Sequence, residues 1–105
     1  IYVPTDNTVV SALESVLGVA QEKSLPVVAG EADSVEKGAM ATYGIDYDKL
    51  GEQTGRMAVR ILQDGADPAT MPVEEQTEFE LVVNVEAAQR AGVTLPQSLL
   101  DKADR

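Results

Sequence analysis

The sequence predicts an α/β fold, a partial parallel sheet with flanking helices, and three observations predict it. The chain opens on Ile1-Tyr2-Val3-Pro4, rich in β-branched and aromatic types. The cap-forming cluster Thr5-Asp6-Asn7 and a long run with helical apolar spacing follow at once. A second apolar run, Val27-Val28-Ala29-Gly30, has the unbroken hydrophobicity of a central parallel strand rather than the alternation of a half-exposed one. Third, a further helical period runs from Tyr47 to Gln63 behind a cap at Asp46. Strand, helix, strand, with further elements of both kinds, is the order of a βαβ sheet, whose crossover is right-handed by default.

In the first helix, expected from Thr8 to Lys23, Val9, Val10, Leu13, Val16, Leu17 and Ala20 recur at spacings of three and four. Ser11, Glu14, Ser15, Glu22 and Lys23 take the other face, and Ser24-Leu25-Pro26 breaks the run. Glu31-Ala32-Asp33-Ser34 is the turn after the second strand, and Ser34 to Gly38 reads as one helical turn capped at Asp33 or Ser34. Residues 39–44 read as a third strand. In the helix from Tyr47 to Gln63, Leu50, Thr54, Met57, Ile61 and Leu62 are the expected buried stripe. Gly51 and Gly55 are expected to let that helix lie close to the sheet, and Gly65 to end it. Asp67-Pro68-Ala69-Thr70-Met71-Pro72 has the composition of a linker. Residues 78–84 open as a half-exposed strand, Val85 to Ala91 is a short helix stopped at Gly92, and Pro96 starts a last helix holding Leu99, Leu100 and Ala103. Tyr2, inside a strand, reads as core, and Met40, Met57 and Met71 read as packing.

The composition removes whole classes of chemistry. At 105 residues, 44% of them hydrophobic, one modest domain is expected. The net charge of −10, with eight scattered basic residues, disfavours nucleic acid and anionic membrane surfaces as partners. With no Cys and no His there is no thiol nucleophile, no imidazole base and no usual zinc ligand. No cofactor motif of the GxGxxG or Walker type is present, so no cofactor is expected. The chain begins inside a strand, which reads as a piece of a longer polypeptide, with any targeting signal upstream.

In α/β sheets ligands sit beyond the carboxyl ends of the strands, where helix N-termini point free N–H groups. Thr5, Asp6 and Asn7 lie at such an end, and are expected to form part of a ligand cleft. Residues of these types also cap helices, for about 1 kcal/mol each. Asp46 is expected to cap and nothing more, and Glu74, Glu75, Glu78 and Glu80 to be a solvated surface.

The segments Tyr2-Val3-Pro4-Thr5-Asp6-Asn7-Thr8-Val9, Gly44-Ile45-Asp46-Tyr47 with Leu50-Gly51, Leu81-Val82-Val83-Asn84 and Gly92-Val93-Thr94-Leu95-Pro96 carry a family resemblance across nearly the whole chain. The chain resembles the C-terminal third of the ABC transporter substrate-binding protein family, of the tryptophan and tyrosine type. The resemblance implies a Rossmann-like lobe of a type I periplasmic binding protein, one of two α/β lobes that close on a ligand by hinge bending. It implies residues 1–73 as the second half of the C-terminal lobe. Residues 74–105 become a hinge crossing and a strand-helix segment returning to the N-terminal lobe.

The resemblance also implies a ligand set. Asp6 matches a position that holds a polar ligand group and suits an amino acid's ammonium. Asn7 and Thr8 add contacts from the helix start, and Glu31 matches a second ligand position. Ser34 and Tyr43 are expected to face the same cleft, with Asp33 beside them, and Tyr43 suits an aromatic ligand. The implied role is non-enzymatic: a periplasmic or otherwise extracytoplasmic receptor, free or lipid-anchored, that passes a small solute, an aromatic amino acid first, to an ABC permease and its ATPase.

The alternative is an effector-sensing domain of a transcription regulator, which has the same two-lobe form. A hydrolase using Asp6 and Glu31 would find no His, Cys or Lys in the cleft to assist it. A sheet with an open edge also predicts self-association of this chain, by exchange of its C-terminal strand and helices.

Overall fold

The first strand, β1 (Tyr2–Val3), is short because Pro4 removes a donor and the chain turns, with Asp6 N donating to Pro4 O at 2.8 Å. The computed structural model describes residues 1–105. It divides them into two compact units, Ile1–Gly44 with Glu80–Arg105, and Ile45–Phe79.

In the first unit the expected single helix is two, α1 (Asn7–Ser11) and α2 (Leu13–Glu22), with Ala12 between them. The break has a local cause. Ser11 Oγ donates to Thr8 O at 2.8 Å, and Ala12 N turns to Val9 O at 3.0 Å, so the ladder tightens there. The strand β2 (Val28–Ala29) follows, then α3 (Ala32–Glu36) and β3 (Ala41–Ile45), which starts two residues later than expected. After the second unit come β4 (Phe79–Val83), a helix at Val85–Arg90 and a last one at Gln97–Leu100, close to their sequence-derived positions.

The sheet runs β1-β2-β3-β4, with β1 to β2 and β2 to β3 parallel in the register Tyr2↔Val28, Val3↔Ala29 and Val28↔Ala41. That register aligns Val3, Ala29 and Thr42 on one face, and all three are buried. Leu13, Leu17 and Ala20 of α2, and Ala32 and Val35 of α3, join that face, with Val27, Ala39 and Val82, in one core cluster. The other face carries Tyr2 and Tyr43, which are 68% and 71% exposed, so Tyr2 is not the core residue its strand position suggests. Side chains alternate along a strand, and Tyr2 falls on the face that α2 and α3 do not cover.

The C-terminal segment is tied into this unit at Asn84. Its N donates to Met40 O, its Nδ2 to Val35 O, and its Oδ1 accepts from Ala87 N to cap the helix after it. Arg105 bonds Glu80 and Glu36, and its guanidinium pKa is raised, chiefly by the bond to Glu80.

The second unit is built on α4 (Tyr47–Leu62), capped as expected by Asp46, whose Oδ1 accepts from Asp48 N and Lys49 N. No residue of α4 is buried, and Leu62 of the expected stripe is 85% exposed. A Cβ added at Gly51 or Gly55 would meet nothing within 4 Å. The return segment is fastened by Glu74, which accepts from Arg60 and from Gln53, and those bonds, Arg60 first, lower its pKa.

Candidate functional site at the carboxyl edge of the sheet

Beyond the ends of β1 and β2 the backbone itself is close-packed. Thr5 Oγ1 donates to Gly30 O at 3.3 Å, and a Cβ at Gly30 would lie 2.8 Å from Thr5 Oγ1 and 2.9 Å from Thr5 N. A Cβ at Gly44 would lie 2.9 Å from Gly30 O and 3.4 Å from Glu31 Cα. Only glycine fits at either place. The turns after β1 and β2 and the end of β3 therefore meet in one strip of backbone, all within the first unit.

Two carboxylates stand on this strip. Asp6 caps α1: its Oδ1 accepts from Thr8 N at 2.8 Å and Val9 N at 3.1 Å, while its Oδ2 has no bond. Glu31 caps α3 in the same manner, its Oε1 accepting from Ser34 N at 3.0 Å and from Ser34 Oγ, while its Oε2 is uncommitted. The cap of α3 is thus Glu31, not Asp33 or Ser34 as the sequence suggested. The Glu31 side chain reaches forward to the amide three residues on, and its burial to 9% exposure favours a satisfied oxygen. Each acid spends one oxygen on a helix end and keeps the other.

The remaining sequence-derived candidates sit as follows. Asn7 and Thr8 are exposed in the first turn of α1, Ser34 is fully buried against Glu31, and Tyr43 is exposed on the open face of β3, one residue before Gly44. The structure joins Glu31 to Ser34 directly and Asp6 to the backbone of Thr8, and it links the two turns through Thr5 and Gly30.

Thr5, expected at the cleft, acts as a strut; sequence reasoning did not single out Gly30 and Gly44, which permit the close approach, or Thr42, which buries a hydroxyl without a protein partner beside Gly44. A glycine directly after each apolar run was the readable signal for the close approach. Thr42 gave none. No group of acidic side chains is arranged to hold a metal ion, and no helix is long and apolar enough to cross a membrane. What the strip can do chemically is accept hydrogen bonds from a cation through Asp6 Oδ2 and Glu31 Oε2.

Comparison with known proteins gives this edge its context. The model of the family described as ABC transporter substrate binding protein matches residues 1–105. A tyrosine-binding protein of Clostridioides difficile is 43% identical over 84 residues, covering 80% of this chain and 24% of that protein. A structure from Streptococcus pneumonia, described as an ABC domain in complex with L-Trp, superposes with a TM-score of 0.86 at 38% identity, over 99% of this chain and 35% of that one. A conserved domain protein of Vibrio cholerae superposes equally well, with TM-score 0.86 at 36% identity and the same coverage. The chain thus spans between a quarter and about a third of the length of these relatives. With the family model matching from the first residue to the last, the chain belongs to the ABC transporter substrate-binding protein family.

Proposed function

We propose that this chain supplies part of the ligand cleft of a solute receptor that captures an amino acid, aromatic ones first, for an ABC importer. The observation that carries the reading is the pair of half-used carboxylates. Asp6 and Glu31 each cap a helix with one oxygen and leave a second oxygen at the same edge, an arrangement suited to an ammonium group. Asn7 and Thr8 add polar contacts at the mouth of α1, Ser34 holds Glu31 in place, and Tyr43 offers a ring for a side chain to stack on. The names of the relatives support the ligand class, since one is called tyrosine-binding and another holds L-Trp.

In this reading no bond is made or broken. The receptor works outside the cytoplasm, free or lipid-anchored, and its partners are the permease and ATPase of the importer. The 105-residue chain itself self-associates through its open sheet edge. Calorimetric titration of the full-length receptor with L-tyrosine, L-tryptophan, L-phenylalanine and L-leucine tests the ligand class. Binding at micromolar or tighter Kd by an aromatic member, with leucine weaker, is expected. Failure of all four in a folded receptor would remove the ligand class.

A further inference from the structure

Of the four segments that carry the family resemblance, Leu81-Val82-Val83-Asn84 has no part in the site described above. Its last residue nonetheless reaches that site, through α3. This helix has five residues, too few to hold its place by its own hydrogen bonds, so its position is set by what fixes its two ends and its buried side. At the near end Glu31 Oε1 accepts from Ser34 N at 3.0 Å and from Ser34 Oγ, and the other carboxylate oxygen is the one offered to a ligand. Along the side, Ala32, Ser34 and Val35 are buried.

The far end is held from the residues that follow β4. Asn84 Nδ2 donates to Val35 O at 3.0 Å, across 49 residues of sequence. Asn84 N donates to Met40 O at 2.8 Å and Asn84 Oδ1 accepts from Ala87 N at 2.9 Å, so the side chain cannot turn away without giving up the cap of the helix at Val85–Arg90. Val35 O also accepts from Gly38 N at 3.1 Å, but that bond lies within the turn that ends α3 and ties it to nothing else. A further tie, Arg105 Nη1 to Glu36 Oε1 at 3.0 Å, is exposed at both partners, and an exposed ion pair contributes little. The half-buried Asn84 bond is therefore the one that fixes the far end of α3.

We infer that Asn84 is a positioning residue for the amino-acid site: its side-chain amide holds the carbonyl end of α3 and so fixes the place from which Glu31 presents its free oxygen. The inference rests on the receptor reading above. A carboxylate recognises an ammonium only at hydrogen-bond distance, so a shift of α3 by about 1 Å is felt at the ligand.

Asn84→Ser is the informative substitution, because serine still caps the following helix but is too short to reach Val35 O. Backbone hydrogen exchange in the ligand-free full-length receptor gives the first readout. Residues 32–39 should exchange at least about tenfold faster in the variant, while the β1–β2 pairing, reported by Gly30 N on Val3 O, changes less than about twofold. The second readout is the Kd of whichever aromatic amino acid binds the parent most tightly. Asn84→Ser should weaken it at least about fivefold when Glu31 is present, and less than about twofold in a Glu31→Gln background, where the amide keeps the oxygen that accepts from Ser34 N. Unchanged exchange at residues 32–39, or a rise shared equally by the β1–β2 pairing, would overturn the inference, since Asn84 would then serve general stability alone. So would an equal loss of affinity in both backgrounds, since the effect would not pass through Glu31. The exchange readout needs no ligand: a receptor that binds none of the amino acids refutes the ligand class, and the dependence of α3 on Asn84 is still decided.

Discussion

The helices α2 and α4 are both amphipathic in sequence, yet the shorter one is packed and the longer one is not. In α2, ten residues bury Leu13, Leu17 and Ala20 against Val3, Ala29 and Val35; in α4, sixteen residues bury none. A helical apolar period thus announces that a face will be covered without saying by what. For α2 the cover is the sheet that its own flanking strands form. For α4 the period is equally clear, and nothing in the second unit buries it.

The largest test of this contrast is a pair of leucine truncations in the 105-residue chain. Leu13→Ala should cost about 3 kcal/mol, because it opens a cavity in the core, whereas Leu62→Ala should stay within about 0.5 kcal/mol as an exposed substitution. Urea unfolding measures both, and equal losses would erase the distinction between the helices.

A pair of glycines sharpens it next. Gly44→Ala forces a methyl to within 2.9 Å of Gly30 O and should destabilise by about 2 kcal/mol. Gly51→Ala meets nothing within 4 Å inside a helix and should stabilise by about 0.5–1 kcal/mol. The same substitution thus changes sign between the two units, read as opposite shifts in Tm.

Caps give a smaller effect. Asn84→Ala removes a cap and the bond to Val35 O in the partly buried first unit, and should cost about 1.5–2 kcal/mol. Asp46→Ala removes only the exposed cap of α4, for about 1 kcal/mol or less. Parity between the two would argue that burial adds nothing to the Asn84 anchor.

The smallest effect is electrostatic. Arg60 and Gln53 hold the Glu74 carboxyl below its ordinary value of 4.5. Its contribution is therefore fully present above that value and lost as the pH falls through the depressed one. Hydrogen exchange in α4 should quicken over that acidic range in the parent and show no such step in Glu74→Gln. A step that survives in Glu74→Gln would place the titration elsewhere.

Much of the fold was legible because the relevant signals are local. The strand-turn-helix at residues 1–8, the cap at Asp46, and the stops at Gly65 and Gly92, both with positive φ, depend on neighbours in sequence. What was not legible depends on partners far along the chain or on competing bonds. The break at Ala12 arises from the Ser11 hydroxyl bonding the Thr8 carbonyl, and the exposure of Tyr2 from which sheet face receives α2. The cap role of Glu31 required knowing that it is buried beside Ser34. At the candidate site the acids could be named from their place after the strands, while the one-oxygen economy of each could only be seen in three dimensions.

The measurement that bears most directly on the receptor reading is calorimetric titration of L-tyrosine and L-tryptophan into the full-length receptor and its Asp6→Asn variant. The amide keeps the oxygen that caps α1 but removes the charge, so the fold and Tm should be retained while affinity falls at least tenfold, about 1.4 kcal/mol. Unchanged affinity in a variant of unchanged stability would contradict the account, leaving Asp6 a helix cap and nothing more.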